Sequence, residues 1–129
     1  MILPVTLSTA AAAALLNIWL SIRVGMVRRA TGISVGDGGN EALIRRMRAQ
    51  LNFIENAPVV LVMLGGIELA RAGNPFLLGA AAIFILGRVA HGIGMDGGPL
   101  GFLRGVGTLT TMLTQLCLAV WAVSIVLDA

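Results

Sequence analysis

The residues in this chain best suited to chemistry lie in one short segment, Arg48-x-x-x-Asn52-x-x-Glu55. At about 100° per residue, this spacing places the three side chains on one face of a helix. A guanidinium group is a planar fork that binds carboxylates through two hydrogen bonds and can hold a thiolate. The segment is therefore a candidate wall of a site for an anionic ligand.

The helix that carries this segment belongs to a membrane protein. The chain has 129 residues, of which 57% are hydrophobic and 12% charged, against about 25% charged in an average soluble domain. Four apolar segments, at residues 3–27, 51–70, 76–95 and 106–127, are each near the ~20 residues needed to cross a bilayer. Because backbone groups in lipid must bond within the segment, we predict an all-α integral membrane protein, a single domain over 1–129 with a four-transmembrane-helix bundle.

Charged and amide groups enter the bilayer on the second helix. We expect this helix to begin near Glu41, capped by Asn40 after a glycine-rich turn at 36–39. Counting back from residue 70 places Asn52 and Glu55 inside the membrane slab, with Glu68 paired to the arginine three residues later. An ionisable group within a membrane costs a few kcal/mol or more, so it should be paired or line a water-filled cavity.

The other three helices also carry polar faces near the same membrane surface. These faces comprise Asn17, Ser21 and Arg28 on the first helix, Arg88, His91 and Met95 on the third, and Arg104, Thr108, Thr111 and Gln115 on the fourth. We expect Glu55 to be the anionic partner of Arg88. The alternative is that these polar faces only bind one another and hold the helices together. It does not account for the surplus of arginines over carboxylates near the faces.

The remaining signals are structural or topological. All nine basic residues are arginines, and their clustering around the first and third loops predicts that these loops are cytoplasmic and both termini lie outside. This explains the net charge of +3 without nucleic acid. Cys117, the only cysteine, is expected to be a buried packing residue, and a lone histidine supports no metal site.

Several of these motifs together resemble the MAPEG family, the membrane-associated proteins in eicosanoid and glutathione metabolism. They are the Arg48-x-x-x-Asn52-x-x-Glu55 segment, the preceding Gly36-Asp37-Gly38-Gly39, the Gly87-Arg88-x-x-His91 of the third helix and the Arg104 that opens the fourth. The resemblance covers essentially the whole chain. It is greatest to a small bacterial branch of the inner membrane.

The resemblance implies a homotrimer that binds glutathione between neighbouring subunits near the cytoplasmic face. The implied glutathione-binding residues are Arg28, Arg48, Asn52, Glu55, Arg88, His91 and Thr108, with Arg23 and Arg29 as alternatives to Arg28. Arg104 is implied as the catalytic residue that stabilises the thiolate. A thiolate is the competent nucleophile, so the implied reaction is conjugation to, or reduction of, a hydrophobic electrophile that arrives from the bilayer.

The chain also departs from well-studied members of the family. It contains no tyrosine, and Met95 and Thr108 stand where those members place tyrosines around glutathione. Gly105 stands where a prostaglandin synthase-like member has a serine. A non-enzymatic lipid-binding or scaffold member of the same family is therefore the alternative. A small proton-coupled exporter is a weaker idea, because the first helix has no carboxylate to couple transport to protons.

Overall fold

The computed structural model describes residues 1–129 and contains four long helices and no strand. They are α1 (Pro4–Thr31), α2 (Glu41–Arg71), α3 (Pro75–Gly94) and α4 (Phe102–Leu127), with a 3₁₀ turn at Gly98–Leu100 before α4. All four helices are long and apolar enough to cross a membrane. The predicted fold class, an all-α protein with four such helices, is confirmed.

Asparagine and glycine residues set the ends of these helices. Asn40 caps α2 and Asn74 caps α3, and in each case Oδ1 accepts a hydrogen bond from the backbone N–H three residues later, at 2.9 and 3.0 Å. Gly32 ends α1 in the left-handed conformation, at φ +73°. The expected cap at Asn40 is present, and the glycine-rich turn before it uses positive φ values.

The core is an apolar stripe on α2 that packs against the other helices. Its buried positions recur at intervals of three or four residues, which is the period of one helix face: Phe53, Ala57, Val60, Leu64 and Ile67. Leu77, Ala81 and Phe84 of α3 join the same cluster, with Leu16 and Leu20 of α1. Many large apolar side chains point outward instead, as expected of helices that face lipid.

Helices α3 and α4 approach each other closely because glycines lie at the crossing. A Cβ added to Gly107 would stand 2.7 Å from the backbone N of His91. A Cβ added to Gly94 would stand 2.8 Å from Cα of Arg104. Small residues of this kind let membrane helices pack backbone to backbone. This packing places His91 and Arg104 on facing helices.

Glu68 binds the start of α1 rather than the arginine one turn away. Its side chain is only 3% exposed and accepts hydrogen bonds from Val5 N at 2.9 Å, Thr6 N at 2.8 Å and Thr6 Oγ1 at 2.7 Å. The expected pair with Arg71 is wrong, since Arg71 lies beside Asp128. The free N–H groups and positive dipole of a helix start make it a better partner for a buried carboxylate.

Gly107→Ala should destabilise the fold, because the added methyl group must push α3 away from α4. We expect a loss of about 1–3 kcal/mol, measured as a lower Tm in detergent. Gly105→Ala is the matched control, because nothing lies within 4 Å of a Cβ at this position on the same helix. It should leave Tm unchanged or raise it, since alanine favours helix over glycine. Equal Tm values for the two variants would contradict the close crossing.

Glu68→Ala should also lower Tm, by roughly 5–15 °C, because it removes three hydrogen bonds to a charged acceptor. Glu41→Ala is the control. That carboxylate is exposed and pairs only with Arg45, four residues along the same helix. A Glu68→Ala protein that melts with the Glu41→Ala protein would show that the contact with α1 contributes little.

Candidate functional site

A polar cavity opens at the arginine-rich end of the bundle, between α2, α3 and α4. Its volume is about 380 Å³, within the roughly 300–1,000 Å³ range of small-molecule sites. The lining residues are Arg48, Leu51, Asn52 and Glu55 from α2, His91 and Met95 from α3, and Arg104 and Thr108 from α4. We call this space the polar cavity. Six of the eight site residues expected from the sequence line it.

The charged groups of the polar cavity have no partner in the chain. Arg48, Glu55 and Arg104 lie in exposed positions, and their side chains form no hydrogen bond or ion pair with any other residue. The Thr108 hydroxyl donates to the backbone O of Arg104 at 3.0 Å. Two guanidinium groups and one carboxylate are therefore free to bind a ligand.

Arg88 lies behind the polar cavity and does not line it. Its side chain is 2% exposed and donates from Nη2 to Asn52 Oδ1 at 2.7 Å and from Nη1 to Thr111 Oγ1 at 3.1 Å. The same Nη2 lies 3.3 Å from His91 Nδ1, and Nε has no partner. The expected ion pair with Glu55 is wrong. Asn52 lies one helical turn before Glu55. Of the polar residues on this face of α2, it is the one that faces α3.

Arg28 lies outside the polar cavity of its own chain. It lines a second cavity of about 340 Å³ between α1 and α2, with Arg48 and Leu51 on the ridge between the two. Its Nη1 donates to Gly36 O at 2.8 Å and to Ile33 O at 3.3 Å. Arg28 therefore braces the loop between α1 and α2.

The alternative assignments for Arg28 fare differently. Arg23 is held elsewhere, because it donates to Asp96 and to Gly92 O and lies 4.8 Å from the ring centre of Trp19. Arg29 is exposed and has no partner. Within one chain, neither of them joins the polar cavity.

An arginine–aspartate cluster that the sequence reasoning missed ties three helices together beside the site. Asp96, just after α3, accepts from Arg23 of α1 and from Arg46 of α2, the latter at 3.2 Å. Arg46 also donates to Arg23 O at 3.0 Å. One signal was available, because Arg46 points away from the polar face of α2. That direction predicts only that Arg46 lies outside the polar face, and it does not identify Asp96 as the partner.

Leu51 adds to the residues that the sequence placed at the site, and Cys117 differs from its predicted position. Leu51 and Met95 supply the apolar part of the polar cavity. Cys117 is exposed on α4, so the prediction that it is a buried packing residue is wrong. Residues 116–123 of α4 are all apolar, so this part of the helix gives no pattern that tells the face toward lipid from the face toward protein. No group of three His, Cys, Asp or Glu side chains is placed to hold a metal ion.

An apolar groove adjoins the polar cavity on the outer face of α4. It has a volume of about 540 Å³ and is lined by Phe102, Leu109 and Met112, with Gly101 and Gly105 around them. Arg104 and Thr108 line both spaces. The guanidinium group of Arg104 thus stands where a polar compartment meets an apolar one.

The sequence profile of the MAPEG family matches residues 6–124. No curated protein matches the chain significantly. The matched segment includes nearly all of the four membrane-spanning helices and every residue that lines the polar cavity. The chain is an integral membrane protein and belongs to the MAPEG family, whose functions relate to glutathione and eicosanoid metabolism.

Proposed function

We propose that the protein binds glutathione in the polar cavity and acts as a glutathione transferase or peroxidase on hydrophobic electrophiles. The observation that carries the proposal is the set of unpartnered charges on the cavity wall, the guanidinium groups of Arg48 and Arg104 and the carboxylate of Glu55. Glutathione at neutral pH carries two carboxylates and one ammonium group. Arg48 offers a cation to a carboxylate, Arg104 offers one to the thiolate, and Glu55 offers an anion to the ammonium group.

Arg104 supports the chemical step in this proposal. A guanidinium group beside a thiol favours the thiolate, which is the nucleophile in conjugation and in peroxide reduction. Its position between the polar cavity and the apolar groove allows a thiolate on one side to meet an apolar electrophile on the other. The electrophile would reach the groove from the bilayer, since α4 exposes Leu109 and Met112 there.

The assembly and orientation belong to the same proposal. We infer a homotrimer in a bacterial inner membrane, with the first and third loops cytoplasmic and both termini periplasmic. Arg28 would then reach the polar cavity of a neighbouring subunit, which accords with its position outside the cavity of its own chain. The exposed apolar side chains that extend along α2 and α4 provide surface for both subunit contacts and lipid.

A non-enzymatic lipid-binding or scaffold role is the second candidate. The cavity between α1 and α2 favours it, because Val24, Ile44, Met47, Leu51 and Ile54 make most of its wall apolar. The absence of tyrosine from the chain favours it as well, since no phenol is present to assist a thiol. In this case lipid would copurify with the protein, and no electrophile would be turned over.

Glutathione at millimolar concentration should raise Tm of the detergent-solubilised protein, because a ligand that binds only the folded state stabilises it. Sodium glutamate at equal ionic strength is the control for charge screening. Absence of any shift in Tm with glutathione would contradict the proposed function and would favour the lipid-binding role.

Arg104→Ala should reduce conjugation of a generic aryl halide by about 100-fold, because the thiolate loses its nearest cation. Arg71→Ala is the control, since Arg71 is exposed, lies beside Asp128 at the other end of α2 and does not line the cavity. It should conjugate at the wild-type rate. Equal loss in both variants would mean that the effect comes from net charge rather than from the site.

A further inference from the structure

Arg88 imposes hydrogen-bonding roles on the two residues that it contacts at the edge of the polar cavity. A guanidinium group has five N–H donors and no acceptor. The atom of Asn52 that lies 2.7 Å from Nη2 must therefore be the carbonyl Oδ1. By the same reasoning the His91 Nδ1, 3.3 Å from Nη2, carries no proton. The usual ambiguity of amide flips and histidine tautomers is removed at both residues.

The first consequence is the direction of the Asn52 amide. With Oδ1 turned to Arg88, the Nδ2 group points the other way, and no side chain or backbone atom accepts from it. Asn52 Nδ2 is not fully buried, because the one fully buried side-chain polar atom without a partner is Arg88 Nε. Since Asn52 lines the polar cavity, its free N–H donors face that space.

The second consequence is the state of His91. A ring whose Nδ1 accepts a hydrogen bond is neutral and carries its proton on Nε2. The ring is almost fully buried, and Nε2 has no acceptor in the protein. Nε2 is nevertheless not one of the buried polar atoms that lack a partner, so it is accessible from the cavity. His91 lines the polar cavity and thus presents a second N–H donor. In this state it has no lone pair facing the cavity with which to take a proton from a thiol.

We propose that Arg88 is a positioning residue that holds Asn52 and His91 as donors toward the polar cavity, so that an acceptor group of the ligand must lie between them. The inference rests on the proposed function, in which that acceptor is a carboxylate or peptide carbonyl of glutathione. Glu55 remains the one carboxylate on the cavity wall and takes the ammonium group. Because Glu55 takes the ammonium group and Asn52 and His91 donate to an acceptor, the ligand binds in the polar cavity in one orientation.

Asn52→Asp tests the amide direction without breaking the contact with Arg88. The new carboxylate still accepts from Nη2, so Tm should stay at or above the wild-type value. The donors toward the ligand are lost and a like charge replaces them, so Kd for glutathione in calorimetric titration should rise at least about tenfold. Wild-type affinity in this variant would overturn the proposal.

Asn56→Asp is the matched control one turn along α2. Asn56 Oδ1 accepts from Gln115 Nε2 at 2.7 Å and does not line the polar cavity. This change should lower Tm, because no cation faces it, and leave Kd unchanged. A rise in Kd here equal to that of Asn52→Asp would show that any added charge on α2 disturbs binding, which would also count against the proposal.

The role of His91 is tested with two side chains that differ in hydrogen-bonding capacity. His91→Gln can accept from Arg88 through Oε1 and donate into the cavity through Nε2, so it should raise KM for glutathione less than His91→Phe does. His91→Phe keeps the ring but has no donor, so KM should rise. A large loss of kcat in His91→Gln would identify the ring as a base and overturn its assignment as a donor.

Arg88 itself is tested by rescue and by coupling. Arg88→Met should weaken glutathione binding, and Arg88→Lys should restore most of it, because an ammonium group can still donate to Asn52 Oδ1. In the Asn52→Ala background, Arg88→Met should cost little further affinity through the amide, since the group that it orients is gone. Full additivity would mean that Arg88 does not act through Asn52.

The outcomes separate this inference from the proposed function. If the wild-type protein binds no glutathione, the proposed function fails. The contact is then still measured by Tm, in a double-mutant cycle of Arg88→Met and Asn52→Leu. Zero coupling in that cycle would overturn the positioning role. If the wild-type protein binds glutathione and Asn52→Asp binds it equally well, only the positioning role fails.

Discussion

A guanidinium group buried between membrane-spanning helices constrains much of this structure, because hydrocarbon offers it neither water nor counter-ion. Arg88 meets that constraint with neutral oxygen and nitrogen atoms from three helices, Asn52 of α2, His91 of its own helix and Thr111 of α4. These contacts link α2, α3 and α4 at one depth. The polar cavity lies directly outside them, so the positive charge that holds the helices also favours an anion in the cavity.

Two other polar contacts secure the bundle at its opposite ends. At the arginine-rich end, Asp96 joins α1, α2 and α3 through Arg23 and Arg46. At the other end, Glu68 of α2 binds the first backbone N–H groups of α1. Glycines at the α3–α4 crossing bring the backbones together between these ends. Three charged residues that are left without partners, Arg48, Glu55 and Arg104, lie together on the wall of the cavity.

The helices were predictable because apolar length and capping residues act locally. The four apolar segments predicted the approximate bounds of the helices, and Asn40 predicted that α2 starts well before the membrane. The polar stripe of α2 was predictable too, since helical geometry alone puts Arg48, Asn52 and Glu55 on one face. What a helical wheel leaves open is which member of a stripe touches a given neighbour. Arg88 consequently meets Asn52 and not Glu55.

By itself, the sequence determined that this is a four-helix membrane protein of the MAPEG family with a surplus of arginine near one face, because hydropathy, spacing and motif order are properties of the chain alone. Tertiary structure decided which charges are used up by the fold and which are free. Glu68 and Asp96 are engaged with other helices, whereas Glu55 is not. The reason is physical, since the partner of a buried charge is set by the crossing angle and depth of helices distant in sequence.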